Sequence, residues 1–264
     1  MRSITIFTSN QPRHLRLVIE LSKVYENVYA IIECNTVRPG EVKDFFDKSE
    51  IMKSYFSQVM RSEKEIFGEI SFLPKNVSPL ILKMGDLNKI HIDVLSTSLN
   101  SENFVVFGSS FIKGDLIDIL IKKKCLNIHM GVSPFYRGAS CNFWALFNED
   151  YHYVGSTIHY LSKGLDSGDI LFHCLPSFEP NPFNYTMKSV KSAHVGLISR
   201  LVDKSVFKID PIVQDKKLEV CYTRNSDFND EVASRFLNKK IDYNIFENKV
   251  KNRNLKEFNN PFIY

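Results

Sequence analysis

The chain has 264 residues, 44% hydrophobic and 24% charged, with a formal net charge of +4 at pH 7. That is an ordinary globular composition, with room for one large domain or one of roughly 200 residues plus an appendage. The charge is mild and the basic residues scattered, with Lys122-Lys-Lys124 the one tight run in the first half, which argues against a nucleic-acid-binding face and suits small anionic ligands.

Ser3 to Thr8 is a β-type run that begins at once, with no apolar signal-peptide segment before it. It breaks at Ser9-Asn10-Gln11-Pro12, and the apolar spacing from Pro12 to Tyr25 predicts a helix. Val28 to Ile32 is continuously apolar, as in a strand buried on both faces. Pro39-Gly40 punctuates the next loop, and Glu41 to about Arg61 has helical period and enough charge to predict a solvated excursion. Leu80 to Met84 and Ile92 to Leu95 fit either strand or helix. Phe104 to Ser109 predicts a buried strand, Asp115 to Lys123 a helix and Leu126 to His129 a strand. Val154 to Leu161 and Ile170 to Leu175 predict two more strands. A long helix follows from Thr186 to about Phe207. After Asp210-Pro211 the chain turns polar, with a strand-like Leu218 to Thr223, a helix near Asp230 to Lys239 and a loop-like end. The fold class expected is α/β, a Rossmann-like, mostly parallel sheet with helices on both faces. Residues 1–209 would form the main domain and 210–264 a short extension.

The five cysteines (Cys34, Cys125, Cys141, Cys174 and Cys221) show no CxxC or other metal-ligand spacing and read as reduced thiols, with no metal expected. No apolar run approaches the ~20 residues of a membrane span. A soluble, cytoplasmic protein that engages neither membrane nor nucleic acid is expected.

Chemistry concentrates between Cys125 and His173. Asn127 and His129 alternate on a strand, so both side chains share a face. Asp166 lies in Gly164-Leu-Asp166-Ser-Gly168. Singly, the first two read as a satisfied hydrogen-bond pair and the third as a turn residue. Together, an amide, an imidazole and a carboxylate make an acyl-transfer site in which donors meet a developing oxyanion and a base meets a proton.

Asn127-Ile-His129, then Tyr136-Arg137-Gly138 and Trp144, then Thr157-Ile-His159 and Gly164-Leu-Asp166-Ser-Gly168, resemble the folate-dependent formyltransferase family. The likeness extends from about residue 100 to 175 and, less closely, over 1 to 35. It implies a one-carbon group transferase that uses 10-formyltetrahydrofolate as co-substrate. It implies catalytic roles for Asn127 (polarising the formyl carbonyl), His129 (protonated, at the oxyanion) and Asp166 (proton relay, keeping His129 charged). Phe107, Gly108, Ser109, Ser110, Phe111, Ile112, Gly164 and Leu165 would line the folate pocket. Asn10, Tyr136, Arg137 and Trp144 would meet the acceptor. Where the family carries Pro and Ser after Asn-x-His, this chain has Met130 and Gly131.

The Tyr-Arg-Gly run followed by Trp resembles the tRNA and sugar branches more than the purine branch. About 55 residues follow Asp210, too few for the β-barrel of the tRNA branch. The reading favoured is an N-formyltransferase acting on a nucleotide-linked amino sugar of dTDP or GDP type, in surface polysaccharide biosynthesis, with a tail that helps form a homodimer. A purine-pathway formyltransferase, a formyltetrahydrofolate hydrolase and a non-catalytic Rossmann-like binding protein are the alternatives.

Overall fold

The computed structural model describes residues 2–34 and 48–264. β1 (Ser3–Ser9), α1 (Pro12–Ser22) and β2 (Asn27–Cys34) open the chain as the periodicity predicts. Pro12 sits in the first turn of α1, where its missing N–H costs nothing. Leu17, Val18 and Leu21 bury the inner face of that helix. α2 (Glu50–Phe67) and β3 (Val77–Lys83) follow, and then β4 (Asn103–Phe107), α3 (Gly114–Lys122) and β5 (Leu126–His129). After these come β6 (Tyr136–Gly138), α4 (Cys141–Phe147), β7 (Ser156–Tyr160), β8 (Ile170–Leu175) and α5 (Pro182–Val202). β9 (Cys221–Thr223), α6 (Asp230–Leu237), α7 (Tyr243–Lys251) and β10 (Phe262–Ile263) complete the fold.

The main sheet has eight strands in the order β10-β8-β7-β5-β4-β1-β2-β3. β7 runs antiparallel to both β5 and β8, and the other pairings are parallel. The expected α/β Rossmann-like fold is therefore present. From β1 the strand order grows outward in both directions, so a crevice opens at the carboxyl ends of β1 and β4, the switch point where open α/β sheets bind ligands.

Three expectations are corrected or resolved. Pro39-Gly40 and Glu41 lie outside the described residues, but the helix beyond them is no solvated excursion. It runs from the Ser49 cap, whose hydroxyl accepts from Met52 N at 3.1 Å, to Phe67, and it packs inward. Among the described residues of the expected range none is fully buried, but Tyr55 and Val59 pack against the core. Past Arg61 the helix buries Phe67 and also Glu63, which pairs with Arg13 at 2.9 Å. Its charge density marks one exposed face only. Second, Ile92–Leu95 forms a single 3-10 turn, while Leu80 lies in β3. Third, the loop-like end contains α7 and β10, whose aromatic and aliphatic residues were too widely spaced to read. Phe246, Val250 and Phe258 are buried there. β9 pairs in parallel with β6 and β10 with β8, so residues 210–264 contribute to both sheets.

Candidate active site

β5 ends at the crevice and carries Asn127 and His129 on one face, both nearly buried. The loop between β7 and β8 brings Asp166 back over them. Two backbone features shape that loop. Asp166 itself has φ 46°, a left-handed conformation that Asp tolerates better than most residues. At Gly168 a Cβ would stand 1.7 Å from the carbonyl oxygen of Tyr160, so only glycine allows the strands to lie that close.

The three side chains form one network. The Nδ1 of His129 lies 3.1 Å from Asp166 Oδ2. Asn127 Nδ2 donates to Asp166 Oδ1 at 3.1 Å and to His159 Nε2 at 2.8 Å. The Nδ1 of His159 faces Tyr160 O at 2.8 Å and so carries the hydrogen, which leaves Nε2 as the acceptor. Both amide hydrogens of Asn127 are thereby committed, and its Oδ1 is the atom left to a ligand. An acceptor oxygen can hold an N–H, whereas the resemblance implies a donor at Asn127.

Burial alone would push the imidazole of His129 down, but the Asp166 carboxylate, with Cys141 beside it, holds it well above its ordinary 6.5. Burial would likewise raise the Asp166 carboxyl, yet the His129 charge and its hydrogen bond depress it far below the carboxylate range. The pair is an imidazolium facing a carboxylate.

Two cavities meet at His129. The larger, about 610 Å³, is lined by Asn127, His129 and Asp166 and by all eight expected folate-pocket residues: Phe107 to Ile112, Gly164 and Leu165. Gly108 turns the chain there with φ 75°, where a Cβ would meet the His14 ring at 2.3 Å. The smaller, about 330 Å³, is walled by Tyr55, Phe56, Phe143, Phe183, Phe228 and Phe236. Arg13, His129 and Met130 border both.

The four expected acceptor residues line neither cavity. Asn10 is exposed at the rim of β1. Tyr136 is 1% exposed and donates its hydroxyl to Asp150 Oδ2 at 2.6 Å, because β6 pairs with β9 and turns the ring into the core. Arg137 is held by Glu219 at 3.0 Å. Trp144 packs on Phe143 and Phe147 within α4. Sequence reasoning also missed residues that matter. Buried Glu33 accepts from Gly85 N, Leu87 N, Ser110 N and Ser110 Oγ, and so ties down the loops at the folate side. Its signal was an acid closing an otherwise apolar strand. Cys141 Sγ lies 3.5 Å from His129 Nε2, and no spacing rule pointed to it.

Residues 92–192 match the sequence profile of the family described as Formyl transferase. Methionyl-tRNA formyltransferase of Clostridium tetani is 33% identical over 123 residues, 45% of this chain and 38% of that protein. The same enzyme of Caldicellulosiruptor saccharolyticus is 33% identical over 131 residues, 48% of this chain and 40% of that one. The match thus spans about two fifths of the length of these relatives. The fold is similar to that of a sugar N-formyltransferase from a Shewanella species (TM-score 0.52, 18% identity, 95% of this chain and 88% of that one). It is also similar to that of glycinamide ribonucleotide transformylase 1 of Symbiobacterium toebii (TM-score 0.51, 14% identity, 81% and 95%). The stretch that matches the Formyl transferase profile, residues 92–192, is the one that carries Asn127, His129 and Asp166.

Proposed function

We propose that this protein is an N-formyltransferase that moves a formyl group from 10-formyltetrahydrofolate to the amine of a nucleotide-linked amino sugar. The observation that carries the reading is the placement of His129, paired with Asp166, on the wall shared by two cavities. A donor and an acceptor can each occupy one cavity and meet at its imidazole.

The larger cavity fits the folate. Phe107, Ile112 and Leu165 offer apolar walls for a flat ring system, Ser109 and Ser110 offer polar contacts, and the buried Oε1 of Gln11 has no protein partner and awaits a donor. Bound there, the folate supplies the formyl group on nitrogen in transferable form. His129 donates to the oxygen on which charge develops, a contribution of about 3–4 kcal/mol for oxyanion donors of this kind. Asn127 Oδ1 orients an N–H of the incoming amine as its nitrogen bonds to the formyl carbon. When the adduct collapses, the C–N bond to the folate nitrogen breaks, and the amine's proton passes through a water held by Asp166 to that nitrogen, so that tetrahydrofolate leaves while Asp166 keeps His129 charged.

The aromatic cavity favours an acceptor with an apolar face, such as a deoxy sugar ring, stacked on Tyr55 and Phe228. The C-terminal segment supports the sugar branch, since it is built into both sheets rather than forming a further barrel. The Shewanella protein is named a sugar N-formyltransferase, and a sugar 3N-formyl transferase of similar fold (TM-score 0.50) was solved in the presence of dTDP and 5-N-formyl-THF. A second reading, methionyl-tRNA as acceptor, is favoured by the names of the curated relatives and by a cavity apolar enough for a thioether side chain. No helix among the described residues is long and apolar enough to cross a membrane, and a cytoplasmic location is part of the proposal. A homodimer through the C-terminal segment belongs to the same proposal, supported by exposed Val213, Val220 and Tyr222.

Incubation with 10-formyltetrahydrofolate and a set of dTDP- and GDP-linked amino sugars, followed by mass spectrometry, tests the reading. A gain of one formyl unit on a sugar nucleotide is the expected result. Formylation of methionyl-tRNA with every sugar untouched would overturn it.

A further inference from the structure

Gly131 and Cys141 fit each other. A Cβ on Gly131 would stand 2.5 Å from Cys141 Cβ and 2.6 Å from His129 Nε2, so the absence of a side chain at 131 lets the thiol reach the imidazole. Cys141 Sγ lies 3.4 Å from Gly138 O and 3.5 Å from His129 Nε2. The carbonyl can only accept, so the S–H donates to Gly138 and the sulfur lone pairs are left to the Nε2–H of His129. The other ring nitrogen faces Asp166.

The thiol is itself held from the C-terminal segment. Gly138 has φ 89°, and a Cβ there would meet Thr223 O at 2.0 Å. Ala139 N donates to Thr223 O at 2.9 Å, and Thr223 Oγ1 donates to Ala139 O at 2.7 Å.

We propose that Cys141 is a positioning residue for the transfer: its sulfur holds the Nε2 edge of His129 while Asp166 holds Nδ1, which fixes the imidazole at the wall between the cavities until the reacting oxygen takes the Nε2–H. Sulfur suits this because it is a weak acceptor. It orients the hydrogen yet gives way to an oxygen gaining charge at little cost. The inference rests on the proposed transfer reaction for its rate consequences, but its geometric core needs no substrate. The ionisable groups around His129 are Asp166 from the β7–β8 loop, His159 on β7, Cys141 on α4, and Arg13 of α1 with its partner Glu63 of α2.

The test uses Cys141→Ala and Cys141→Ser in the full chain. The first readout is the titration of the His129 imidazole by NMR in folate-free protein. With the sulfur removed, its midpoint moves to lower pH in Cys141→Ala and returns toward the wild-type value in Cys141→Ser, whose hydroxyl accepts again. The second readout is kinetic. In Cys141→Ala, kcat falls about tenfold, the loss of one modest hydrogen bond, with KM for the folate unchanged, and Cys141→Ser recovers most of it. A midpoint that stays put in Cys141→Ala, or a serine variant no better than alanine, overturns the proposal. If the midpoint moves but no formyl transfer is found with any acceptor, the positioning contact stands and the assigned reaction fails.

Discussion

Replacing Asp166 with Asn separates charge from shape at the centre of the site. Asn is close in size to Asp and also accepts the left-handed backbone found at this position, φ 46°, so the loop keeps its course. What is lost is the anion 3.1 Å from His129 Nδ1. At that separation the Coulomb attraction is about 5 kcal/mol for an effective dielectric near 20. Desolvation of two largely buried groups cancels part of it, and about 2–3 kcal/mol remains, as for hydrogen bonds to charged partners. His129 is held above its ordinary 6.5 in the folded protein, so the donating imidazolium is complete at low pH and is lost as pH rises through that raised value. At about 1.4 kcal/mol per pH unit, Asp166→Asn moves the basic limb of kcat toward acid by about two pH units. Turnover on the alkaline side falls on the order of a hundredfold. Both changes are read from kcat against pH at saturating donor, with a parallel NMR titration of the imidazole. An Asn variant whose basic limb coincides with that of the wild type, at near-normal turnover, would refute the reasoning.

Four further outcomes follow from the same geometry. Gly168→Ala drives a methyl into Tyr160 O, 1.7 Å from the Cβ position, so the Asp166 loop must shift; kcat falls by about a hundredfold or more while far-UV circular dichroism is kept. Glu33→Ala leaves the backbone N–H groups of Gly85, Leu87 and Ser110 without their acceptor, lowering stability by about 3 kcal/mol and weakening folate binding. An unchanged urea midpoint would contradict that. Phe228→Ala opens the aromatic cavity and raises KM for the acceptor, with folate affinity unaltered by fluorescence titration. Burial lowers His173 to about 4 and His194 to about 3, against an ordinary 6.5. The unfolded chain therefore binds these protons first, and stability falls as pH drops from about 6.5 toward about 4. His194→Phe, which replaces a buried ring whose Nε2 has no partner, flattens that slope in thermal scans.

The sheet was legible because its strands are short apolar runs separated by Gly, Pro and Asn, and because β1, β4 and β5 are buried on both faces. The juxtaposition of Asn127, His129 and Asp166 was legible for a similarly local reason: Asn127 and His129 are two apart on one strand, and Asp166 sits between glycines that mark a tight loop. What the sequence hid is what depends on pairing at a distance. β6 is three residues long and exists because β9 lies beside it from far along the chain, with Tyr136 opposite Cys221 and Gly138 opposite Thr223. Tyr136, Arg137 and Trp144 were therefore assigned to a ligand when their partners are Asp150, Glu219 and neighbouring rings. The aromatic cavity draws on α2, α4, α5 and the segment around Phe228, and no periodicity joins residues so far apart. The charge of α2 concealed its buried face for the opposite reason: composition averages over a helix whose two sides differ.

The pairing of β9 with β6 and of β10 with β8 sets an order of events during synthesis. β5 with Asn127 and His129, and the β7–β8 loop with Asp166, leave the ribosome well before Thr223 and Phe262, so an incomplete chain holds these side chains without the clasp on Ala139 and without β10. The side chains of the candidate site are thus made first, and the pairings that clasp Ala139 and add β10 to the main sheet come later.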